Sequence, residues 1–215
     1  MNQAALIREA EQFVQAKLAH DFSGHDWWHI MRVRATALTI AREELADAFI
    51  CELAALLHDV ADEKLVGDEE QGLREIRSWL TQHGVSDAQT EHVIAIIAAM
   101  SFKGGSRPPM RTLEGRVVQD ADRLDAIGAV GISRVFAYSG AKGRPIHDPA
   151  ILPREAMTQA EYRSGNDTAI NHFHEKLLKL KELMNTAHGR RLAEERHRFM
   201  EQYLERFHQE WSGQL

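Results

Sequence analysis

A helical apolar run that ends abruptly in ionisable side chains constrains this chain more than any other stretch. Residues 54–57 read Ala-Ala-Leu-Leu, His58 and Asp59 follow at once, and a second acid, Asp62, comes three residues later. The apolar residues favour burial, so they carry an imidazole and a carboxylate to the edge of a core. Successive helical residues point about 100° apart, so one helix cannot aim both groups well at one target. Any site here must lie near the helix end, where other segments complete it.

Two other segments could complete such a site. His29 lies in the aromatic-rich run over residues 25–29, and Asp122 lies in an acid-rich stretch over residues 117–125. Two neutral imidazoles and two carboxylates form a mixed nitrogen and oxygen donor set. Such a set suits a borderline-to-hard divalent ion such as Mn, Fe, Co, Ni, Zn or Mg.

The composition indicates a globular chain that handles small ligands rather than nucleic acid. Its 215 residues can bury one sizeable core, with 44% hydrophobic and 27% charged residues. The net charge of −6 argues against a general nucleic-acid binder, which needs clustered Lys and Arg. A metal and a few local basic residues could still attract a small phosphorylated ligand. No run approaches the roughly 18 apolar residues of a membrane span.

The cysteine count and the first residues favour the cytoplasm. Cys51 is the single cysteine, so the chain forms no internal disulfide, and its apolar neighbours predict that it is buried. The first residues mix Arg8, Glu9 and Glu11 into an amphipathic pattern without an uninterrupted apolar stretch, so we expect no signal peptide.

Helical periodicity recurs along the chain, and no convincing strand pattern interrupts it. We therefore predict an all-α fold in one domain over residues 1–215. Asp26 or Ser23, Asp47, and Ser86 or Asp87 are the predicted helix caps. From Asp167 onward two apolar stripes predict helices joined near His188 and Gly189. The predicted earlier helices span residues 3–19, 26–43, 47–62, 69–82, 87–100 and 112–138.

The ordered set of His29, His58 with Asp59, and Asp122 resembles the HD-domain metal-dependent phosphohydrolase superfamily. It is most similar to small single-domain bacterial members with a Gly-His-Asp-Trp-Trp-His-like opening and an Asp-Ala-Asp-Arg-Leu-Asp segment. The resemblance runs from about Gly24 to Asp148. It implies a compact multi-helix HD core over about residues 24–148, with a C-terminal helical region over about residues 165–212.

The resemblance also implies roles for individual residues. It assigns His29, His58, Asp59 and Asp122 to one divalent ion. Asp62 would orient or deprotonate the attacking water, with a solvated acid at a helix end as the alternative. His25 would lie nearby, either supporting the metal ligands or on the substrate side. Asp125 could accept a hydrogen bond from a ligand histidine, or pair with Arg123 or Arg134 instead.

Four basic residues are candidates for contacts with a phosphate. They lie in predicted loops, three of them beside glycines, where an ordinary loop is the alternative interpretation. Met100 stands where several relatives have a histidine, which counts against a dinuclear site. The four candidates are Lys64, Lys103, Lys142 and Arg144.

The expected reaction is metal-dependent hydrolysis of a phosphate ester or anhydride, with a nucleotide as the expected substrate. Some small relatives convert nucleoside triphosphates to monophosphates and pyrophosphate, while a monophosphatase or a cyclic phosphodiesterase would use the same four ligands. One alternative is a non-catalytic metal- or nucleotide-binding regulator. Another is a di-iron oxygenase, which needs further histidines; Met100 disfavours it, while His83 and His92 leave it open. The sequence does not choose an oligomeric state.

Overall fold

The computed structural model describes residues 2–18, 26–61, 68–100, 110–154 and 167–215. Within these ranges all regular structure is helical, which confirms the predicted all-α class. None of the described helices combines the length and apolarity needed to cross a membrane. The α-helices are α1 (Gln3–Leu18), α2 (Trp27–Glu44), α3 (Ala48–Leu57), α4 (Glu69–Gln82), α5 (Asp87–Met100), α6 (Leu113–Asp125), α7 (Gly128–Ala141), α8 (Ala169–Glu175) and α9 (Ala187–Trp211), and the 3₁₀ turns are η1 (His58–Ala61) and η2 (Leu177–Leu183).

The chain forms two compact units, Met1–Asp122 and Arg123–Leu215, so the boundary falls inside α6. In the first unit α3 is central, because α1, α2 and α5 all pack against it, while α4 packs against α5 and η1. Every residue of α3 from Ile50 to Leu57 is buried except Glu52. The extent of a single HD core to about residue 148 stays a prediction.

The cap of α3 explains why this apolar segment begins where it does. The Asp47 carboxylate accepts hydrogen bonds from the backbone N–H groups of Phe49 at 2.9 Å and Ile50 at 3.2 Å, as predicted for an N-cap. At the other end the prediction of one helix to residue 62 is wrong in detail, because the α-helix ends at Leu57 and tightens into η1. A 3₁₀ turn has three residues per turn, so His58 and Asp59 project about 120° apart.

An ion-pair network joins the first three helices. Arg34 of α2 donates through Nε to Glu52 of α3 at 2.8 Å and through Nη1 to Glu11 of α1 at 2.7 Å. All three side chains are mostly buried, which reduces the screening of these pairs by water. The network therefore holds α2 against both α1 and α3.

The predicted long helix over residues 112–138 is wrong, because the chain breaks into α6 and α7. Ile127 is extended, with φ −126° and ψ 167°, and Gly128 has φ +76°. A left-handed φ is strained for a residue with a side chain and costs glycine little. Apolar spacing continues through the break, which is why periodicity alone joins the two helices.

The close approach of Gly131, in α7, to the turn after α6 leads to a prediction about stability. An added Cβ at Gly131 would lie 2.3 Å from the carbonyl oxygen of Ala126, so backbone must move in Gly131→Ala. We expect this variant to lose about 1 to 3 kcal/mol of unfolding free energy in urea titrations. Gly140→Ala in the same helix is the control, because an added Cβ there meets nothing within 4 Å and φ is not positive. Equal stability of the two variants would contradict the expectation.

In the second unit, the break between the two predicted C-terminal helices lies a few residues before His188 and Gly189, where the sequence placed it. Helix α9 already begins at Ala187, and the break lies at residues 184–186, where Thr186 accepts from the backbone N–H of Gly189 at 3.0 Å. Gly189 is buried in the first turn of α9. This glycine therefore lies inside a helix and does not end one.

A buried cluster of charges lies within the second unit. Arg144 lies 3.1 Å from Asp167, Arg154 lies 3.8 Å from Asp167, and Arg154 lies 2.8 Å from Glu175. The two carboxylate side chains are only 3% and 1% exposed. Because buried carboxylates need cationic partners, the arginines neutralise this part of the core.

His172 lies next to this cluster. Because its pKa is lowered in the folded chain, we expect the free energy of unfolding to depend on pH. Burial, together with the charges of Lys176 and the two arginines, lowers its pKa to about 4, although Glu175 opposes the change. The unfolded chain therefore binds more protons between about pH 4 and pH 6.5, so stability falls as the pH drops through that window. We expect His172 to account for about 2 kcal/mol of the loss between pH 7.5 and pH 5. Urea unfolding at both pH values should show that much less pH dependence in His172→Gln, and identical pH dependence would contradict the expectation.

Candidate metal centre

Three separate segments of the first unit bring imidazole and carboxylate groups together. His29 lies on α2, His58 and Asp59 lie on η1, and Asp122 lies near the end of α6. The His29 Nε2 atom is 3.4 Å from Asp59 Oδ2 and 3.5 Å from Asp122 Oδ1. The His58 Nε2 atom is 3.2 Å from Asp59 Oδ1 and 3.9 Å from Asp122 Oδ1. The four residues expected from the sequence to share one site therefore meet.

The start of α2 positions His29. Asp26 is extended at the N-cap, and its carboxylate accepts the backbone N–H of His29 at 2.7 Å, which confirms one of the two predicted caps. The side chain of His29 is only 1% exposed. Its ring meets that of His58 edge to face, with the centroids 5.4 Å apart. The helix cap thus places the imidazole inside the core instead of on the solvent face.

A backbone contact selects the tautomer of His58. Its Nδ1 atom lies 2.8 Å from the carbonyl oxygen of Ala55, which can only accept a hydrogen bond. Nδ1 must therefore carry the proton, and neutral His58 presents a lone pair at Nε2. Among the described residues this buried Nε2 atom finds no hydrogen-bond partner. A buried lone pair aimed at carboxylates is suited to a cation.

The two carboxylates differ in their surroundings. Asp59 is 6% exposed, and its two oxygens face the two imidazoles. His29, His58 and Asp59 each offer a ligand atom, and these atoms all lie within 4.8 Å of one another. The Asp122 side chain is 39% exposed, so it borders the solvent side of the cluster. The arrangement has a closed inner part and one accessible edge.

The residues present fit a divalent cation. Two nitrogen lone pairs and carboxylate oxygens match the ligands of Mn, Fe, Co, Ni, Zn or Mg sites, and a cation would satisfy the buried His58 Nε2 atom. It would also compensate the buried charge of Asp59, which is costly without a positive partner. The His-His-Asp cluster is therefore a competent metal-binding group.

Asp125 forms an ion pair with Arg134, with Nη1 at 2.5 Å from Oδ2, which is one of the pairings the sequence left open. A contact between Asp125 and His29 stays a prediction.

The expected substrate contacts divide into two groups. Lys142 and Arg144 belong to the second unit, where both cations lie over the Tyr138 ring, 5.8 Å and 5.6 Å from its centroid. Arg144 also pairs with Asp167, so it has a structural partner. Their role in binding a phosphate stays a prediction. The other expected site residues lie outside the described ranges: His25, Asp62, Lys64 and Lys103.

His83 and His92, the two histidines that left a di-iron oxygenase possible, are not part of the described metal-binding group. His83 stacks on Trp79, and its Nδ1 atom is 2.7 Å from the Trp79 carbonyl oxygen. His92 Nε2 lies 3.5 Å from Glu114. Both are half-buried. Their contacts remove the support they gave to a di-iron site.

An all-α unit that joins a histidine, a His-Asp pair and a distant aspartate defines an HD domain, and the chain belongs to this family. The HD domain pattern matches residues 27–127. The uncharacterized protein YpgQ of Bacillus subtilis is 41% identical over 96% of this chain and 96% of its own.

Solved structures of relatives share the fold over nearly their whole length. An HD-superfamily hydrolase from Bacillus thuringiensis is 46% identical with a TM-score of 0.81, covering 98% of this chain and 99% of its own. A Bacillus subtilis YpgQ structure in complex with ADP is 40% identical with a TM-score of 0.77, covering 95% and 97%. A Lactobacillus plantarum protein is 42% identical with a TM-score of 0.83, covering 96% and 97%. The chain therefore stands among the HD-superfamily hydrolases.

Proposed function

We propose that the chain is a divalent-metal-dependent phosphohydrolase that cleaves a phosphate ester or anhydride bond in a nucleotide. Nucleoside triphosphates are the first substrates to test, with release of pyrophosphate as the expected reaction. The observation that carries the proposal is the meeting of two imidazoles and a buried carboxylate within 4.8 Å, with Asp122 at the accessible edge. A relative that shares the fold, from Bacillus thuringiensis, is an HD-superfamily hydrolase.

In this proposal His29, His58, Asp59 and Asp122 hold the ion. The ion supplies Lewis-acid chemistry when bound, by lowering the pKa of water and withdrawing charge from a phosphoryl group. His58 enters as the Nε2 donor, because the Ala55 carbonyl keeps the ring proton on Nδ1. Asp122 borders the side from which a substrate can approach, since its carboxylate is the most exposed of the four.

Asp62 is proposed to align the attacking water and accept its proton. In the sequence it comes directly after η1, the segment that carries His58 and Asp59. A carboxylate that accepts a proton beside a cation is a standard arrangement for general base catalysis. The candidate phosphate contacts are His25, Lys64, Lys103, Lys142 and Arg144.

The nucleotide assignment is supported by one relative. YpgQ, which is 40% identical in the structure compared, was solved with ADP. A nucleotide also fits a chain with a net charge of −6, because local cations rather than a basic surface would neutralise a few phosphates. We propose manganese as the working ion and the cytoplasm as the compartment.

The experiment is a product assay on metal-stripped protein reloaded with Mn²⁺, Mg²⁺, Co²⁺ or Zn²⁺. Ribo- and deoxyribonucleoside tri-, di- and monophosphates, a cyclic nucleotide and a generic phosphodiester are each supplied, and ³¹P NMR identifies the products. We expect a monophosphate and pyrophosphate from at least one triphosphate. Release of orthophosphate, or opening of a cyclic nucleotide, would still show a phosphohydrolase but would assign it a different scissile bond. Tight nucleotide binding without turnover under every metal would contradict the proposal in favour of a regulator.

A further inference from the structure

A carboxylate two turns before Asp122 joins α6 to the beginning of α3. Glu114 lies in the first turn of α6, and its Oε1 atom accepts the backbone N–H of Asp47 at 3.1 Å. Asp47 is the residue that caps α3. The Glu114 side chain is 16% exposed, while the hydrogen bond itself is exposed to solvent. The cap of α3 is therefore held by α6.

The contact at Glu114 and the candidate metal centre lie at opposite ends of the same two segments. Asp47 precedes His58 by eleven residues, and Glu114 precedes Asp122 by eight. At the far end the Asp122 Oδ1 atom lies 3.9 Å from His58 Nε2. The two segments thus meet at both their beginnings and their ends, and they run in the same direction.

The second oxygen of Glu114 contacts a third helix. Oε2 lies 3.5 Å from His92 Nε2 on α5. The next residue, Gly115, also lies close to α5, because an added Cβ would lie 3.4 Å from Ile96 Cγ1. The start of α6 is therefore fixed against α3 by a hydrogen bond and against α5 by close packing.

The register of α6 matters because its last turn carries the most exposed candidate ligand. A helix rises about 1.5 Å per residue, so a slide of one residue would move Asp122 by that amount. Metal–ligand distances vary by only about 0.2 Å within a working site. Interhelical packing alone admits small sliding motions, whereas a hydrogen bond to a cap residue fixes one axial position.

We propose that Glu114 is a positioning residue for the metal centre: by holding the cap of α3, it sets the register that brings Asp122 to His58 and Asp59. The inference rests on the proposed function, since it concerns the same ion. Glu114 contacts neither the ion nor the substrate in this proposal. It acts through Asp122.

The test compares Glu114→Ala, Glu114→Gln and Glu205→Ala. Glutamine keeps an oxygen that can accept from Asp47, and Glu205 is an exposed glutamate on α9 that serves as the matched control. Isothermal titration of metal-free protein with Mn²⁺ measures the affinity, and thermal unfolding of the same samples measures stability. We expect Glu114→Ala to weaken Mn²⁺ binding about 10- to 100-fold. Glu114→Gln and Glu205→Ala should bind within about threefold of the unmodified chain, which corresponds to less than 1 kcal/mol.

A purely structural role would lower the unfolding temperature of Glu114→Ala and leave its Mn²⁺ affinity unchanged, which would overturn the proposal. If the unmodified chain bound no divalent ion, the proposed function would fail by itself. Crystal structures of the metal-free unmodified chain and of Glu114→Ala then decide the register. An unchanged Asp122–His58 separation would overturn the positioning role, and an increase of about 1 Å or more would support it.

Discussion

Asp59→Asn is expected to lower the Mn²⁺ affinity of the chain more than 100-fold and to abolish hydrolysis. The two oxygens of Asp59 face the two histidine Nε2 atoms, at 3.4 Å and 3.2 Å, and the side chain is buried. Asparagine keeps the shape but removes the charge that attracts the ion, and its amide nitrogen would turn a donor toward one imidazole. Loss of an outer-sphere partner already costs about 10- to 100-fold, so loss of a charged ligand should cost more.

The same variant should leave the metal-free protein folded. A buried carboxylate without its cation is costly, so the neutral amide should leave the metal-free unfolding temperature equal or higher. In the unmodified chain, Mn²⁺ at about 100 times its dissociation constant should add about 2.7 kcal/mol of stability, and Asp59→Asn should gain almost none. Thermal unfolding with and without Mn²⁺ measures this difference.

Asp87→Asn provides the matched control, because it makes the same chemical change at an exposed position at the start of α5. It should bind Mn²⁺ and turn over substrate like the unmodified chain. Mn²⁺ binding by Asp59→Asn within about threefold of the unmodified chain would place the ion elsewhere, since a charged ligand contributes far more than that.

The fold class and the metal centre could be predicted because their signals come from residues close together in the sequence. Asp47 and Asp26 are residues that bond backbone N–H groups of their own helices, so their positions are visible as caps before apolar runs. His58 and Asp59 stood out because ionisable groups interrupt a run that must be buried. Each signal lies within a few residues of the structure it predicts.

The features that the sequence could not predict depend on partners far along the chain. At the break between α6 and α7, the Arg196 side chain packs beside Gly128, and its Nη1 donates to the Leu124 carbonyl. Those partners are about seventy residues apart in the sequence, so apolar periodicity across the break gave no warning. Glu114 was missed for the same reason. An acid in the first turn is already favourable for a helix, and its bond to Asp47 spans 67 positions.

Arg154→Met is expected to destabilise the chain by about 3 to 5 kcal/mol at pH 7, because it breaks a buried ion pair from one side. Arg154 contacts Glu175 through Nη2 at 2.8 Å and through Nε at 2.9 Å, and Asp167 lies 3.8 Å away. Methionine keeps much of the apolar stem and removes the cation. The buried Glu175 carboxylate, which is 1% exposed, would then lose its main partner.

The protonation of Glu175 gives this prediction a pH signature. Burial tends to raise the pKa of Glu175, but hydrogen bonds and the charge of Arg154 together hold it below its usual value. A lowered carboxyl pKa contributes stability above the unfolded value of 4.5, and this contribution is lost as the pH falls through the folded value. Without Arg154 the burial effect remains, so Glu175 should take up a proton more readily. The difference between the unmodified chain and Arg154→Met should therefore shrink between pH 7 and pH 4.5.

The double variant Arg154→Met/Glu175→Gln separates the lost charge pair from lost packing. The backbone N–H of Arg154 also donates to Glu175 at 2.9 Å, and glutamine retains an oxygen for that bond. Because the double variant buries no unpaired carboxylate at position 175, urea unfolding at pH 7 should show it to be more stable than Arg154→Met alone. If both variants lost the same free energy at every pH, the destabilisation would come from packing of the arginine stem, and the buried charge would not be its cause.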